Sequence, residues 1–219
     1  MEPITNLLRL FAFSQIPRSL CLGALPSSSA TSCGEGKDDA SSDEREVLEY
    51  LAGCELSPYT RALVVLLYHL HGGAKSRFAP YVHSLPVEID VVSDWVDEED
   101  VSLLECSAGA SLLGEHRAML VGLHRDAATP VMKARPAWWG ASACTFAAFM
   151  RASTIIGSRA FNGASTNGVP MLVPGIDQVN HSCHAAQRQT AMAAGEPDFD
   201  GFVMTAERAL EAGDELFQT

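Results

Sequence analysis

The stretch LVPGIDQVNHSCH, residues 172–184, decides how this chain is read. It places Asp177, Asn180, His181, Cys183 and His184 within eight residues, straight after an apolar run. Three chemistries suit such a cluster. Zinc is the first, since His181, Cys183 and His184 are ligands of the right kind. A closed zinc site takes four ligands, however, and no second Cys/His pair stands at the usual spacing. His69 and His71 lie at i and i+2 of a helical pattern and so face different directions. A Cys183–His184 nucleophile and base is the second reading, but a working pair meets in space and not along the chain. The third is a binding turn. A buried strand MLV leads through Pro174 and Gly175 into IDQVNHS, where Asp177 and Asn180 are short polar side chains that hold backbone bends. Backbone N–H and C=O groups beside Asn180 and His181 are then placed to read the edge of an adenine-like ring. A purely structural turn has the same residues, and physics alone leaves the two open.

The totals narrow the classes. The 219 residues suffice for one sizeable domain, or for a smaller one carrying an insertion. With 47% apolar and 19% charged residues the chain reads as globular. A net charge of −12 argues against a nucleic-acid partner, because phosphate binding needs clustered Lys and Arg. The six cysteines include no CxxC pair, the pattern of a reduced intracellular compartment. No apolar run reaches the roughly 18 residues that span a bilayer, so no membrane partner is expected. The first 34 residues hold Arg9, Arg18, many Ser and only Glu2 as an acid, a composition that also suits an organelle transit peptide.

Residues 26–45, PSSSATSCGEGKDDASSDER, read as a flexible loop ahead of a helical region. Ser57 and Pro58 predict an N-cap and first turn, and the helix then runs to a stop at Gly72. Leu63, Leu66, Leu67 and Leu70 recur at helical spacing and predict one buried face. Residues 75–86 read as a Pro-punctuated connector whose aromatics pack on that helix. Residues 88–100 hold seven acids and no base, either a solvated helix start or a face for a basic peptide. Further helices are predicted over about 107–126 and from near Ser142, the latter burying Phe146, Phe149, Met150 and Ile156. After Gly168 come short strands and turns in MLVPGIDQVN, DFDGFVMTAERAL and EAGDELFQT. Helices in the middle and strands at the end predict an α+β domain with a helical insertion.

SRAF at residues 158–161, followed by LVPGIDQVNHS at 172–182, resembles the SET-domain protein methyltransferases. The nearest branch is that of the Rubisco large-subunit lysine methyltransferase, with its SRxF and P-x-x-D-x-x-N-H-S pattern. ALVVLLYHLHGGAKSRFAPYVHSLP looks like that branch's helical insertion, AGASLLGEHR fits its next helix, and ERALEAGDELFQT matches its Gly-acid-Glu turn and strand. IPRSLCL is similar to the strand before the insertion, which leaves a transit peptide little room. The resemblance implies a partial SET domain over 15–219, with 1–14 unassigned, a helical insertion over about 46–160 and the C-terminal strands over 161–219.

The resemblance further implies an S-adenosyl-L-methionine-dependent protein methyltransferase. Its partner is a lysine-bearing protein substrate, although a histidine-methylating member of the family leaves the acceptor open. Arg159 would meet the carboxylate end of the cofactor. Asn180 would lie near its methionine part, and His181 would hold adenine through backbone bonds. Asp177 would brace the turn near the substrate channel, with Gln178 and Val179 in the same contact segment. No catalytic residue is assigned, since the family's Tyr follows the GDELF strand and falls beyond Thr219. The family's Gly-x-Gly turn, expected ahead of IPRSL, has no counterpart in the Gly-free first 15 residues. Both gaps make the chain an expected fragment. No zinc is expected, because the Cys-rich tail that completes an NHSC site in histone-type relatives has no match here. The reading from a different class is a non-catalytic SET-like module that binds a partner through its insertion and acidic segment. Cytoplasm, nucleus and plastid stay equally open.

Overall fold

The computed structural model describes residues 12–23, 41–87, 104, 107–162, 168–182, 190–194, 201–206 and 215–218. The acidic run 88–100, most of the 26–45 loop, Cys183 and His184, and residues 207–214 lie outside them. The chain divides into two compact units, Met1–Ala24 with Arg159–Thr219, and Leu25–Ser158.

Among the described residues, the first unit carries a five-stranded sheet. Its strands are β1 (Ala12–Pro17), β2 (Asn180–His181), β3 (Thr190–Ala194), β4 (Gly201–Ala206) and β5 (Phe217–Gln218), in spatial order β1-β4-β3-β5-β2. β4 pairs antiparallel with both β1 and β3, whereas β5 pairs parallel with both β3 and β2. Alternation along β4 turns Phe202 and Met204 inward and leaves Val203 half-buried. They join Cys21, Met171, Val173 and Ile176 in one apolar cluster, with Ile16, Phe161 and Val179 packed against it.

Residues 171–173 are buried without alternation because the segment has a neighbour on each side. Met171 exchanges both backbone bonds with Phe161, at 2.9 and 3.0 Å, and Leu172 exchanges both with Leu22, at 3.0 and 2.9 Å. The IPRSLCL segment departs from its expectation. The strand lies further upstream in β1 and stops at Pro17, and Arg18–Leu20 form a 3-10 turn before the single bridge at Leu22.

The second unit is helical: α1 (Ser42–Ala52), α2 (Pro58–Gly72), α3 (Ala79–Ser84), α4 (Ala108–Gly122), a π turn over Leu123–Ala128, α5 (Thr129–Lys133), α6 (Pro136–Ala143) and α7 (Phe146–Arg159). Ser57 caps α2, its hydroxyl accepting from the Thr60 amide at 3.1 Å, with Pro58 in the first turn. The single buried face expected of α2 is too narrow. Ala62, Leu63, Val64, Val65, Leu66 and Leu67 are all buried, while Leu70 is only half-buried. Such all-round burial marks a central helix. From α6, Trp139 reaches it with an Nε1–H donated to the Val64 carbonyl at 2.9 Å.

Three boundaries differ from the sequence expectation. Ser41 caps α1 through the Glu44 amide, so the helix begins inside the predicted loop. The supposed connector contains α3; Phe78 at its start sets its ring 4.8 Å from that of His69, and Tyr81 is buried. The helix placed near Ser142 starts at Phe146 instead, because Thr145 provides the cap by accepting from the Ala148 amide. Phe149 and Ile156 of α7 are buried as expected, but Phe146 and Met150 are half-buried.

Candidate functional site

Residues 172–182 contain a sharp turn. After the buried residues 171–173, Pro174 and Gly175 reverse the chain. Gly175 sits at φ +87°, a conformation that a residue with a Cβ adopts only under strain. A 3-10 turn over Ile176–Gln178 follows, closed by the Asp177 amide on the Val173 carbonyl at 3.0 Å and the Val179 amide on the Ile176 carbonyl at 3.1 Å. The chain then extends into β2.

This geometry sorts the six residues singled out above. Asp177 is buried and Val179 half-buried against the apolar cluster. Gln178, Asn180 and His181 are exposed. Arg159, half-buried at the end of α7, donates from Nη1 to the Asp177 carbonyl at 3.4 Å, a long bond that draws SRAF and the turn together. All six therefore belong to one locality. Among the described residues β2 stands at the end of the sheet order beside β5, Asn180 opposite Phe217 and His181 opposite Gln218.

One participant was not singled out in the sequence. The Asn180 amide donates from Nδ2 to Oε1 of Glu215 at 2.7 Å, across 35 residues of chain. The only signal for it was the Gly-acid-Glu turn just before the last strand, which named a motif without giving its side chain a task.

Among the described residues, no three His, Cys, Asp or Glu side chains gather as a metal site, and no helix is long and apolar enough to cross a membrane. A guanidinium drawn to a turn, an exposed amide and a strand backbone bring a charged donor together with neutral donors and acceptors in one locality.

No protein-family model matches the sequence, and no curated protein does. Solved structures do. The SET domain of LSMT bound to lysine and AdoHcy is similar at a TM-score of 0.65 and 19% identity, over 94% of this chain and 43% of that one. Rubisco LSMT bound to AdoMet gives a TM-score of 0.65 at 19% identity, over 94% and 42%. Rubisco LSMT bound to sinefungin and monomethyllysine gives 0.62 at 19%, over 94% and 41%. The chain has the α+β SET-domain fold, in the form seen in the LSMT structures. It spans less than half the length of the chains it matches.

Proposed function

We propose that the chain is a partial SET domain over 15–219 that binds S-adenosyl-L-methionine and serves protein-lysine methylation. The observation that carries the reading is the junction of Arg159 with the 176–181 turn inside a SET fold. Two of the similar structures hold AdoMet or AdoHcy, and lysine or methyllysine is bound in two of them.

When bound, the cofactor supplies a methyl group on a sulfonium, which a neutral amine takes by in-line displacement. The residues here bind and orient. The Arg159 guanidinium suits the cofactor carboxylate, as a fixed cation suits an anion. The Asn180 side chain lies near the methionine part of the cofactor, and the backbone of His181 offers a donor and an acceptor to adenine. Buried Asp177 braces the turn that carries both, and Gln178 and Val179 complete the contact segment. Alignment and exclusion of water supply most of what such a displacement needs from a protein.

The test is calorimetric titration of the chain with S-adenosylmethionine, followed by methyl transfer to lysine peptides. Asn180→Ala is expected to weaken cofactor binding by about tenfold or more. A chain that binds a basic peptide equally well with and without cofactor, and binds no cofactor, would instead be a SET-like interaction module.

A further inference from the structure

We infer that Glu215 is a positioning residue that locks the Asn180 amide so that its carbonyl oxygen, and not its NH2, faces the ligand, selecting a cofactor that carries a free ammonium group. The inference rests on the cofactor site proposed above and assigns it a specificity.

An asparagine amide is ambiguous by itself, with an acceptor and a donor of almost equal shape that interchange on a half-turn of the side chain. Which end points where is decided by its partners. A carboxylate settles the matter, since it accepts and does not donate. With Glu215 Oε1 at 2.7 Å, the Asn180 amide must turn its NH2 toward the carboxylate. Among the described residues Glu215 is the only side-chain partner of Asn180. Oδ1 of this exposed residue is left as an acceptor. Pairing to a charged group also polarises the amide, which makes Oδ1 a stronger acceptor than in an unpaired asparagine.

The backbone enforces the arrangement. Parallel pairing of β2 with β5 sets Asn180 opposite Phe217, and Glu215 lies two residues before Phe217. A feature distant in sequence thus determines which polarity the turn presents. An outward acceptor, together with the Arg159 guanidinium drawn to the same turn, is complementary to an α-amino acid: the cation of the protein for its carboxylate, the amide oxygen for its ammonium.

The experiment titrates the chain with two ligands, S-adenosylhomocysteine and its analogue with the α-amino group replaced by hydrogen. The wild-type chain should prefer the amino compound. Glu215→Gln offers the amide a donor as well as an acceptor, so both amide orientations become allowed. That variant is expected to lose about tenfold in affinity for the amino compound and less than about twofold for the deamino analogue. In an Asn180→Ala background the same Glu215→Gln change should have no further effect, because the group it orients is gone. A preference that survives Glu215→Gln, or equal losses for both ligands, would assign Glu215 to local stability and overturn the inference. Equal wild-type affinity for both ligands would overturn it while leaving the cofactor reading standing. A wild-type chain that binds neither ligand would overturn both.

Discussion

Among single residues, Gly23 and Gly175 show how far the backbone near the site is constrained. Gly23 adopts φ +111°, and a Cβ there would lie 2.6 Å from the Pro170 carbonyl oxygen. Both the conformation and the close approach exclude a side chain. Gly23→Ala is therefore expected to destabilise the chain by at least about 1–2 kcal/mol, read as a lower urea midpoint with an unchanged slope. Unchanged stability would mean that the 22–23 segment can move away from residue 170. Nothing in GAL or CLG marked that glycine beforehand, because the crowding carbonyl comes from a segment almost 150 residues later. The polar turn that holds Asn180, by contrast, was marked in the sequence by Pro174, Gly175 and short polar side chains after an apolar run, and Asn180 is exposed at its end.

Secondary elements were read best where end signals and periodicity agreed. The α2 helix was legible because Ser57, Pro58 and the paired glycines mark both ends. Its cap predicts a modest, measurable effect. Ser57→Ala removes the acceptor for the Thr60 amide and the 2.9 Å contact with the Thr60 hydroxyl, and should cost about 1 kcal/mol in a denaturant titration. A cost near zero would show that solvent replaces the cap. Short strands were read worst. β2 and β5 have two residues each, too few for any period to show. β3, TAMAA, is small-residue sequence with weak strand preference, and its partners β4 and β5 make it a strand. The start of α7 was expected near Ser142 and falls at Phe146, after the Thr145 cap, with a hydroxyl residue available at both Ser142 and Thr145. Local sequence does not rank these.

For the molecule as a whole, the buried polar core of the helical unit sets a pH limit. His69 is buried between the rings of Tyr68 and Phe78, with Ser76 Oγ at 2.9 Å from Nδ1. On its other side are Glu44, 3.7 Å from Nε2, and Arg77, which binds Glu44 at 2.9 Å. Burial, aided by the Arg77 guanidinium, pushes His69 down to about 3 from an ordinary 6.5. It is therefore neutral at pH 7 and its approach to Glu44 is not an ion pair. The unfolded chain takes up a proton near pH 6.5 that the folded chain refuses until near 3. Stability is full above 6.5 and declines as the pH falls through that window, by at most about 1.4 kcal/mol per pH unit. Urea midpoints at pH 7 and pH 5 should differ clearly for the wild type and less for His69→Gln. Parallel losses in both would place the acid sensitivity elsewhere.

The sequence by itself determined the helical elements with clear ends, the buried MLV run, the polar turn after it, and enough motif to resemble a SET domain. These depend on side-chain type and spacing within a few residues, where local propensity acts. Only the tertiary structure decided that residues 62–67 of α2 are buried without a break, that β5 stands between β3 and β2, and that Glu215 meets Asn180. Such features arise from pairings across tens of residues, and local sequence carries no record of which partner arrives. The orientation of an amide at the proposed site is thus a property of the fold, although the amide itself is a property of the sequence.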